Sequence, residues 1–203
     1  MTPQRFPADL VVESYHGQEA EPFLPDVARL RIEVFREFPY LYDGHHEYEE
    51  KYLATYCRSP EAVIVVARHG SEIVGVSTAL PLLEHSDGVG PVLAKAGFDP
   101  ASIYYFGESV LRRDARGLGI GHAFFDHREA AARRSGRFTH TAFCAVARPG
   151  DHPARPADYV PHDAFWTKRG YVKRPDIVAS FAWRDLGDAE ETAKPMVFWV
   201  REL

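Results

Sequence analysis

The sequence predicts an α/β fold in which seven strands and four helices alternate. Short runs rich in β-branched and aromatic residues alternate with longer segments whose apolar residues recur at helical spacing. A central apolar strand leads through a glycine-rich turn into a helix. The 203 residues, of which 45% are hydrophobic, are enough for one well-packed core, and we expect residues 1–203 to form one globular domain.

The first half of the chain is predicted to contain three strands and two helices. The elements are strand 10–14, helices 25–38 and 47–56, and strands 62–68 and 72–80. In the first helix Val27, Leu30 and Val34 recur at helical spacing, and Pro39 ends the pattern. The last two strands are joined by residues 69–71, a His-Gly-Ser turn typical of a hairpin.

The second half is predicted to supply four more strands and two helices. The elements are strand 103–111, helix 119–134, strand 138–147, helix 163–169, and strands 177–183 and 196–200. Residues 84–100 are expected to be mostly loop around a short helix, and a proline-rich connection runs through residues 148–161. Because Phe198 and Trp199 make the last strand strongly apolar, the pattern suggests a homodimer contact there.

The glycine-rich turn at residues 117–121 has the composition of an anion-binding site. Gly117, Gly119 and Gly121 leave room for the backbone to turn and approach a ligand, and the first amides of the following helix can bind phosphate oxygens. Arg116 adds a positive charge. The turn lacks the last glycine of a dinucleotide fingerprint and the Gly-Lys-Ser/Thr end of a P-loop. An ordinary strand-to-helix turn with glycines for packing is the alternative.

Two motifs carry a resemblance to a known family. Arg116-x-x-Gly119-x-Gly121, preceded by a strand, resembles the acyl-CoA pyrophosphate loop of the GCN5-related N-acetyltransferase (GNAT) superfamily. Residues 165–171, Phe-Trp-Thr-Lys-Arg-Gly-Tyr, resemble the final helix-and-turn signature of that family. The resemblance extends over essentially the whole chain. It implies the GNAT fold, a central mixed, mostly antiparallel sheet of about seven strands flanked by helices.

The resemblance implies acetyl-CoA as cofactor and a set of residues that bind it. It places the pantetheine arm on the backbone of residues 110–112 and the pyrophosphate on the amides of residues 116–122. The predicted cofactor-binding residues are Val110, Leu111, Arg112, Arg116, Gly117, Leu118, Gly119, Ile120, Gly121, His122 and Trp166. For Arg112 and its neighbour Arg113, a solvated basic turn is an equal alternative.

An amine must lose a proton before it attacks a thioester, and Glu108 is the predicted general base. It lies in an apolar strand, where desolvation should raise its pKa. The alternative is a carboxylate that pairs with an arginine or caps a β-bulge near Gly107. Many family members protonate the leaving thiolate with a tyrosine four residues before the glycine of the last signature. Trp166 stands there, which leaves the acid unassigned by the resemblance. Tyr159 is the candidate substitute, and the alternative is that no acid is required because a thiolate leaves readily.

Other residues carry weaker hypotheses about the reaction. Cys144 could serve as a nucleophile, although a small buried hydrophobic role is favoured because no His-Cys spacing supports its activation. Tyr171 could replace the missing acid but is expected to pack as the aromatic of the signature. The length of the acyl group stays open, because it depends on whether Phe106 and Phe143 close the acyl pocket.

The acceptor is predicted to bind at residues 38–50, which combine aromatic and acidic side chains suited to a cation with an apolar or aromatic body. Tyr40, Tyr42 and Asp43 lie in a predicted loop and are the expected binding residues. For Glu49 and Glu50, a solvated acidic face is at least as favoured as a place in the acceptor site. A small-molecule amine is favoured as acceptor; a peptide or protein acceptor and a non-catalytic acyl-CoA-binding module are the alternatives. The loop at residues 148–162 is expected to cover the site from the other side.

Composition argues against several other classes of protein. A net charge of −5 argues against a nucleic-acid-binding face. No run approaches the about 20 apolar residues of a membrane span, and the amino terminus lacks a signal-peptide pattern, so we expect a cytoplasmic protein without a membrane partner. The two cysteines are expected to be reduced thiols, and the ten histidines show no spacing typical of a zinc site.

Overall fold

Seven strands form one mixed sheet in the computed structural model, which describes residues 7–85 and 88–203. The strands are β1 Leu10–His16, β2 Val63–His69, β3 Glu72–Pro81, β4 Ile103–Leu111, β5 His140–Val146, β6 Val172–Trp183 and β7 Thr192–Glu202. Their order is β1-β2-β3-β4-β5-β7-β6. Only the β4–β5 pair is parallel among these neighbours, which confirms the predicted mixed, mostly antiparallel sheet.

Helices cover both faces of this sheet. They are α1 Leu24–Phe35, α2 His46–Arg58, α3 Gly90–Lys95, α4 Ile120–Arg134 and α5 Asp163–Lys168. Ile64 of β2 packs in the same core cluster as residues of α1 and α2, whereas Val65 packs in the cluster that contains the inward face of α4. Because alternate residues of a strand point to opposite faces, a strand covered on both sides reads as a continuous apolar run. This explains the sequence of β2.

The sheet splits at its centre. The parallel strands β4 and β5 pair only from Ile103 to Tyr105 and separate beyond that point. At the same level β4 carries a bulge, because its pairing with β3 shifts in register between Ser77 and Ala79. A Cβ atom on Gly107 in the bulge would lie 2.1 Å from the Tyr56 hydroxyl, so the packing admits only glycine. The split and the bulge together open a gap beside Gly107.

Some predicted element ends were wrong. Helix α1 ends at Phe35 rather than at residue 38. Phe38 is disfavoured in helical geometry because it precedes Pro39. The chain turns back at this point, and the Tyr42 amide donates to the Phe35 carbonyl at 2.8 Å. Strands β6 and β7 are longer than predicted. Their outer parts contain lysine, arginine and proline, yet their backbones pair from Val172 to Trp183.

The last strand does not offer the exposed apolar surface from which a homodimer contact was predicted. Strand β7 lies between β5 and β6 and is therefore not at an edge of the sheet. Phe198 and Trp199 are 0% and 2% exposed, so they stabilise the core of this chain. Among the helices of the described residues, none combines the length and the apolar character that crossing a membrane requires.

Candidate active site

Two cavities meet at the split in the sheet. The first, here named the aromatic cavity, has a volume of about 520 Å³. Its walls include Phe35, Tyr40, Tyr42, Tyr48, Tyr52, Tyr105, Phe181 and Trp183. The second, the sheet cleft, has a volume of about 640 Å³ and runs between β4 and β5. Both cavities are lined by Phe35, Tyr40, Gly107, Glu108 and Cys144, so they share a wall at the bulge of β4.

Glu108 is the carboxylate at this shared wall, and it is only 4% exposed. Its Oε2 accepts hydrogen bonds from Arg31 Nη1 at 2.7 Å and from the Tyr52 hydroxyl at 3.2 Å. Its Oε1 makes no hydrogen bond within the described part of the chain. Burial raises the pKa of Glu108, as predicted, and the Arg31 guanidinium opposes that rise. Glu108 thus has both features of the alternative considered from the sequence, an arginine partner and a place in a β-bulge. Its second carboxylate oxygen still has no hydrogen-bond donor among the described residues.

Arg31 joins Glu108 to a second buried carboxylate, Glu49. Arg31 Nε donates to Glu49 Oε2, and the Glu49 side chain is fully buried. The prediction of a solvated acidic face was therefore wrong for Glu49, although Glu50 is exposed. Burial alone would lower the pKa of Arg31, but Glu108, Tyr52 and Glu49 more than offset this. When both carboxylates are ionised, two negative charges and one guanidinium leave the cluster with a negative charge.

Tyr40, Tyr42 and Asp43, predicted to bind the acceptor, all line the aromatic cavity. The Tyr40 ring stacks on Trp183 at 6.0 Å between centroids and also faces the sheet cleft. Asp43 accepts a hydrogen bond of 2.6 Å from Arg184 Nη2. Its charge is thus already paired, whereas the buried Glu108 has one oxygen without a partner.

The glycine-rich turn has the geometry expected of it. Gly117 and Gly119 have φ values of +79° and +86°, in the left-handed region that favours glycine. Gly119 immediately precedes α4. Arg116 lines the sheet cleft and is held there by Glu37 at 3.0 Å. The turn therefore presents the beginning of α4 and a cation at the open end of the cleft.

Some predicted cofactor residues face the sheet cleft and others do not. Leu111, Arg116, Gly121 and Trp166 line it. Val110 is fully buried in the core. The Arg112 amide donates to the Val74 carbonyl at 3.0 Å, and its guanidinium pairs with Glu72 and Asp114. The side chain of Arg112 thus follows the solvated-turn alternative, while that of Arg113 lines the cleft.

Two aromatic residues of the last signature, Phe165 and Trp166, line the sheet cleft. The centroid of the Trp166 ring lies 5.1 Å from the ring centroids of both Phe143 and Trp199. Tyr171 is buried and its hydroxyl contacts Thr141 at 2.9 Å, so it packs as predicted. Tyr159 lies across the cleft on the long connection, edge-on to Phe38, and does not line the aromatic cavity. The connection thus covers the sheet cleft rather than the aromatic cavity.

Cys144 of β5 lies on the shared wall of the two cavities. It is buried, and its sulfur is 3.1 Å from the Tyr105 hydroxyl. No group of three or more histidine, cysteine, aspartate or glutamate side chains suited to a metal ion occurs in residues 7–85 and 88–203.

Comparison with known structures relates this architecture to acetyltransferases. The ribosomal-protein-alanine N-acetyltransferase of Brucella melitensis aligns with a TM-score of 0.61 at 13% identity, covering 95% of this chain and 99% of that one. A putative acetyltransferase of Acinetobacter baylyi aligns with a TM-score of 0.63 at 12% identity, covering 97% and 94%. A putative acetyltransferase of Salmonella typhimurium, solved with its cofactor acetyl-CoA, aligns with a TM-score of 0.57 at 9% identity, covering 97% and 95%.

The family is shown by the sequence as well. No curated protein matches the chain. The sequence model of the Acetyltransferase (GNAT) family matches residues 27–157, which include most of α1, the bulged strand β4 and the glycine-rich turn. The signature at residues 165–171 lies beyond that match, but the structural alignments include nearly the whole chain. The chain therefore belongs to the GNAT acetyltransferase family, whose cofactor is acetyl-CoA.

Proposed function

We propose that this protein is a single-domain N-acetyltransferase that moves the acetyl group of acetyl-CoA to the primary amine of a small molecule. The amine attacks directly in a ternary complex. One observation carries the proposal: the aromatic cavity and the sheet cleft meet at Glu108, a buried carboxylate with one oxygen unpaired. An amine in one cavity and a thioester in the other would come together beside a proton acceptor.

The aromatic cavity supports a cationic acceptor with an apolar or aromatic body. Aromatic rings form much of its wall, and ring faces attract ammonium groups. The cluster of Glu49, Arg31 and Glu108 adds a negative charge beside the cavity. Because α1, α2, β4 and β6 all contribute to its walls, the cavity suits a small molecule better than an extended peptide.

The sheet cleft fits the cofactor. When bound, acetyl-CoA supplies the thioester that the amine attacks. The turn before α4 and the cation of Arg116 would hold its pyrophosphate, and the guanidinium of Arg113 adds positive charge at the same end. Leu111 and Trp166 would contact the apolar part of the arm. This assignment leaves the junction at Gly107 for the acyl end.

In this mechanism Glu108 takes the proton of the acceptor ammonium. Its raised pKa makes it a stronger base than an exposed glutamate, and Arg31 and Tyr52 hold the carboxylate in place. Tyr159, which lies across the cleft, is the proposed proton donor to the leaving sulfur. Burial raises the pKa of Tyr159, so its proton stays bound at neutral pH.

One observation favours a second candidate, a non-catalytic acyl-CoA-binding module. Trp166 occupies the position where many family members carry a tyrosine, and an indole N–H does not act as a useful acid. Such a module would bind acyl-CoA in the sheet cleft and at the glycine-rich turn but would not catalyse acyl transfer.

Release of free CoA thiol from acetyl-CoA tests the proposal, measured against polyamines, amino acids, aromatic amines, aminoglycosides and basic peptides. Calorimetric binding of acetyl-CoA runs in parallel. We expect turnover with small amines that carry an apolar or aromatic body. Turnover with basic peptides alone would assign the protein to peptide acetylation. Tight binding of acetyl-CoA without turnover on any amine would support the binding module.

A further inference from the structure

Tyr52 connects the buried Glu108 to a histidine on the same cavity. The Tyr52 hydroxyl lies 3.2 Å from Glu108 Oε2 and 3.4 Å from His85 Nε2. All three residues line the aromatic cavity. Glu108 is almost fully buried, whereas His85 is partly exposed. The three side chains therefore form a hydrogen-bonded path from the interior toward solvent.

We propose that Tyr52 and His85 form a proton relay that carries the proton taken from the acceptor away from Glu108. This rests on the proposed function, in which Glu108 is the base. A base that takes up one proton in each turnover must release it before the next one. Glu108 is almost fully buried and faces only the two cavities that acceptor and cofactor fill during turnover, so a side-chain path lets the proton leave before the products do.

The relay balances as a pair of coupled proton transfers. While Glu108 is ionised, Tyr52 donates its hydroxyl hydrogen to Oε2. Once Glu108 is protonated at Oε1, a half-turn of the carboxyl group brings that proton to the Tyr52 hydroxyl. The carboxyl proton then moves to the Tyr52 oxygen as the hydroxyl proton moves to Nε2 of neutral His85. An O–H bond breaks and forms at Tyr52, so tyrosine is unchanged. Glu108 is again a carboxylate, and the His85 imidazolium gives its extra proton to water.

The second partner of Tyr52 identifies the direction of the path. Tyr56 also contacts the Tyr52 hydroxyl, at 3.1 Å, but its side chain is 1% exposed and does not line the aromatic cavity. A proton sent to Tyr56 would remain in the core, so the branch through His85 is the one that leads out. In the described part of the chain, the polar or charged groups near the path include Arg31 of α1, Tyr48 and Glu49 of α2, Thr78 of β3, Tyr105 of β4, Cys144 of β5 and Arg128 of α4.

Three variants test the relay: Tyr52→Phe and His85→Ala interrupt the path, and Tyr56→Phe is the matched control that removes a hydroxyl next to Tyr52 but leaves the path intact. Using the best amine from the panel, kcat and KM are measured in dilute buffer. We expect both path variants to lose kcat, by less than the about 100-fold typical of a missing general base, with the KM for the amine little changed. The Tyr56 variant should keep kcat.

Added imidazole gives a readout that a structural role would not move. Imidazole buffer can enter the space left by His85→Ala and accept the proton, so kcat should rise with its concentration. In Tyr52→Phe the link to Glu108 is missing, so imidazole should not restore kcat. A raised KM with unchanged kcat would overturn the relay and assign both residues to acceptor binding. Absence of rescue in His85→Ala would also overturn it.

Glu108→Gln separates the relay from the proposed function. If that variant keeps full activity, Glu108 is not the base and both proposals fail. If it is inactive while the correctly folded Tyr52→Phe and His85→Ala variants keep wild-type kcat, only the relay fails. Thermal unfolding of each variant verifies that the loss of kcat is not a loss of fold.

Discussion

Arg148 holds Asp185 through two hydrogen bonds, from Nη1 to Oδ2 at 2.7 Å and from Nη2 to Oδ1 at 2.9 Å. The same guanidinium donates to the backbone carbonyls of Pro39 and Tyr40, each at 2.8 Å. One side chain thus ties the loop that carries Tyr40 and Tyr42 to the segment that follows β6. Since both tyrosines line the aromatic cavity, this ion pair fixes the shape of the acceptor site.

We expect Arg148→Met to lower the free energy of unfolding by about 2 kcal/mol, because the mostly buried Asp185 loses two charged hydrogen bonds and keeps only Lys194, and the Pro39 carbonyl loses the Arg148 donor. Urea unfolding measures the loss. The matched control is Arg174→Met, whose partner Asp176 is 60% exposed and which should change stability little. Equal effects of both variants would contradict the clamp.

The contribution of Asp185 should depend on pH. Although burial acts to raise it, the pKa of Asp185 is held below its usual value by Arg148 and Lys194. A carboxyl group with a lowered folded pKa stabilises the protein above its unfolded pKa, about 3.9, and loses that stabilisation as pH falls toward the folded pKa. The stability difference between wild type and Arg148→Met should therefore shrink below about pH 4. A difference that stays constant down to low pH would exclude this linkage.

Glu108→Gln should lower kcat by about 100-fold or more at moderate pH and recover partly at high pH, where free amine is abundant. Glutamine keeps the shape of the side chain, so the change isolates loss of the base. Glu49→Gln is the comparison variant: it touches the same Arg31 but lines neither cavity, and we expect it to raise the KM for the amine and to lose stability without the pH-dependent loss of kcat. An equal loss at every pH in Glu108→Gln would identify a structural carboxylate.

Most of the fold could be predicted because local patterns determine it. The bounds of β4 were predicted correctly, since a compact apolar run lies between polar and glycine-rich segments. The outer parts of β6 and β7 were missed because backbone hydrogen bonds hold them together, and such bonds do not depend on apolar side chains. The place of β7 inside the sheet is a property of the long-range pairing, which no local pattern of Phe198 and Trp199 reveals.

The candidate site was only partly predictable. Glu108 was identified because an acid in an apolar strand is unusual. Arg31 was missed, since it pairs with a carboxylate 77 positions away and looks like any charge on an amphipathic helix. Glu49 carried a signal that could have been used: with Leu53 and Tyr56 it follows the i, i+4, i+7 spacing of the buried face of α2. The contact of Tyr52 with His85 depends on the tertiary fold alone.

Gly119→Asp should weaken acetyl-CoA binding by repulsion between a carboxylate and the pyrophosphate. Gly119→Asn is the matched control, because asparagine has the same shape and tolerates the same φ of +86° but carries no charge. We expect the aspartate variant to bind at least about tenfold more weakly than the asparagine variant, the equivalent of about 1.4 kcal/mol of repulsion. Calorimetry measures both. Equal affinities would remove the pyrophosphate from this turn.

Tyr42→Ala and Leu111→Ala should affect different substrates, because Tyr42 lines only the aromatic cavity and Leu111 only the sheet cleft. We expect Tyr42→Ala to raise the KM for the amine about tenfold, equivalent to about 1.4 kcal/mol of lost apolar contact, with little change in the KM for acetyl-CoA. Leu111→Ala should do the reverse. Steady-state kinetics with each substrate varied in turn would show it, and the opposite pattern would exchange the two assignments.

Cys144→Ala distinguishes direct transfer from a covalent route. Cys144 lies on the wall shared by both cavities, where an acyl-cysteine could in principle form, but its sulfur contacts the Tyr105 hydroxyl and its side chain is buried. Direct attack by the amine needs no thiol.

We therefore expect the Cys144→Ala variant to keep most of its kcat, and the wild type to give intersecting lines in double-reciprocal plots. Cys57→Ala, on α2, is the control for thiol loss as such. Parallel lines, an acetylated Cys144 in mass spectra and an inactive Cys144→Ala variant would together establish a ping-pong mechanism, because a covalent intermediate separates the two substrates in time.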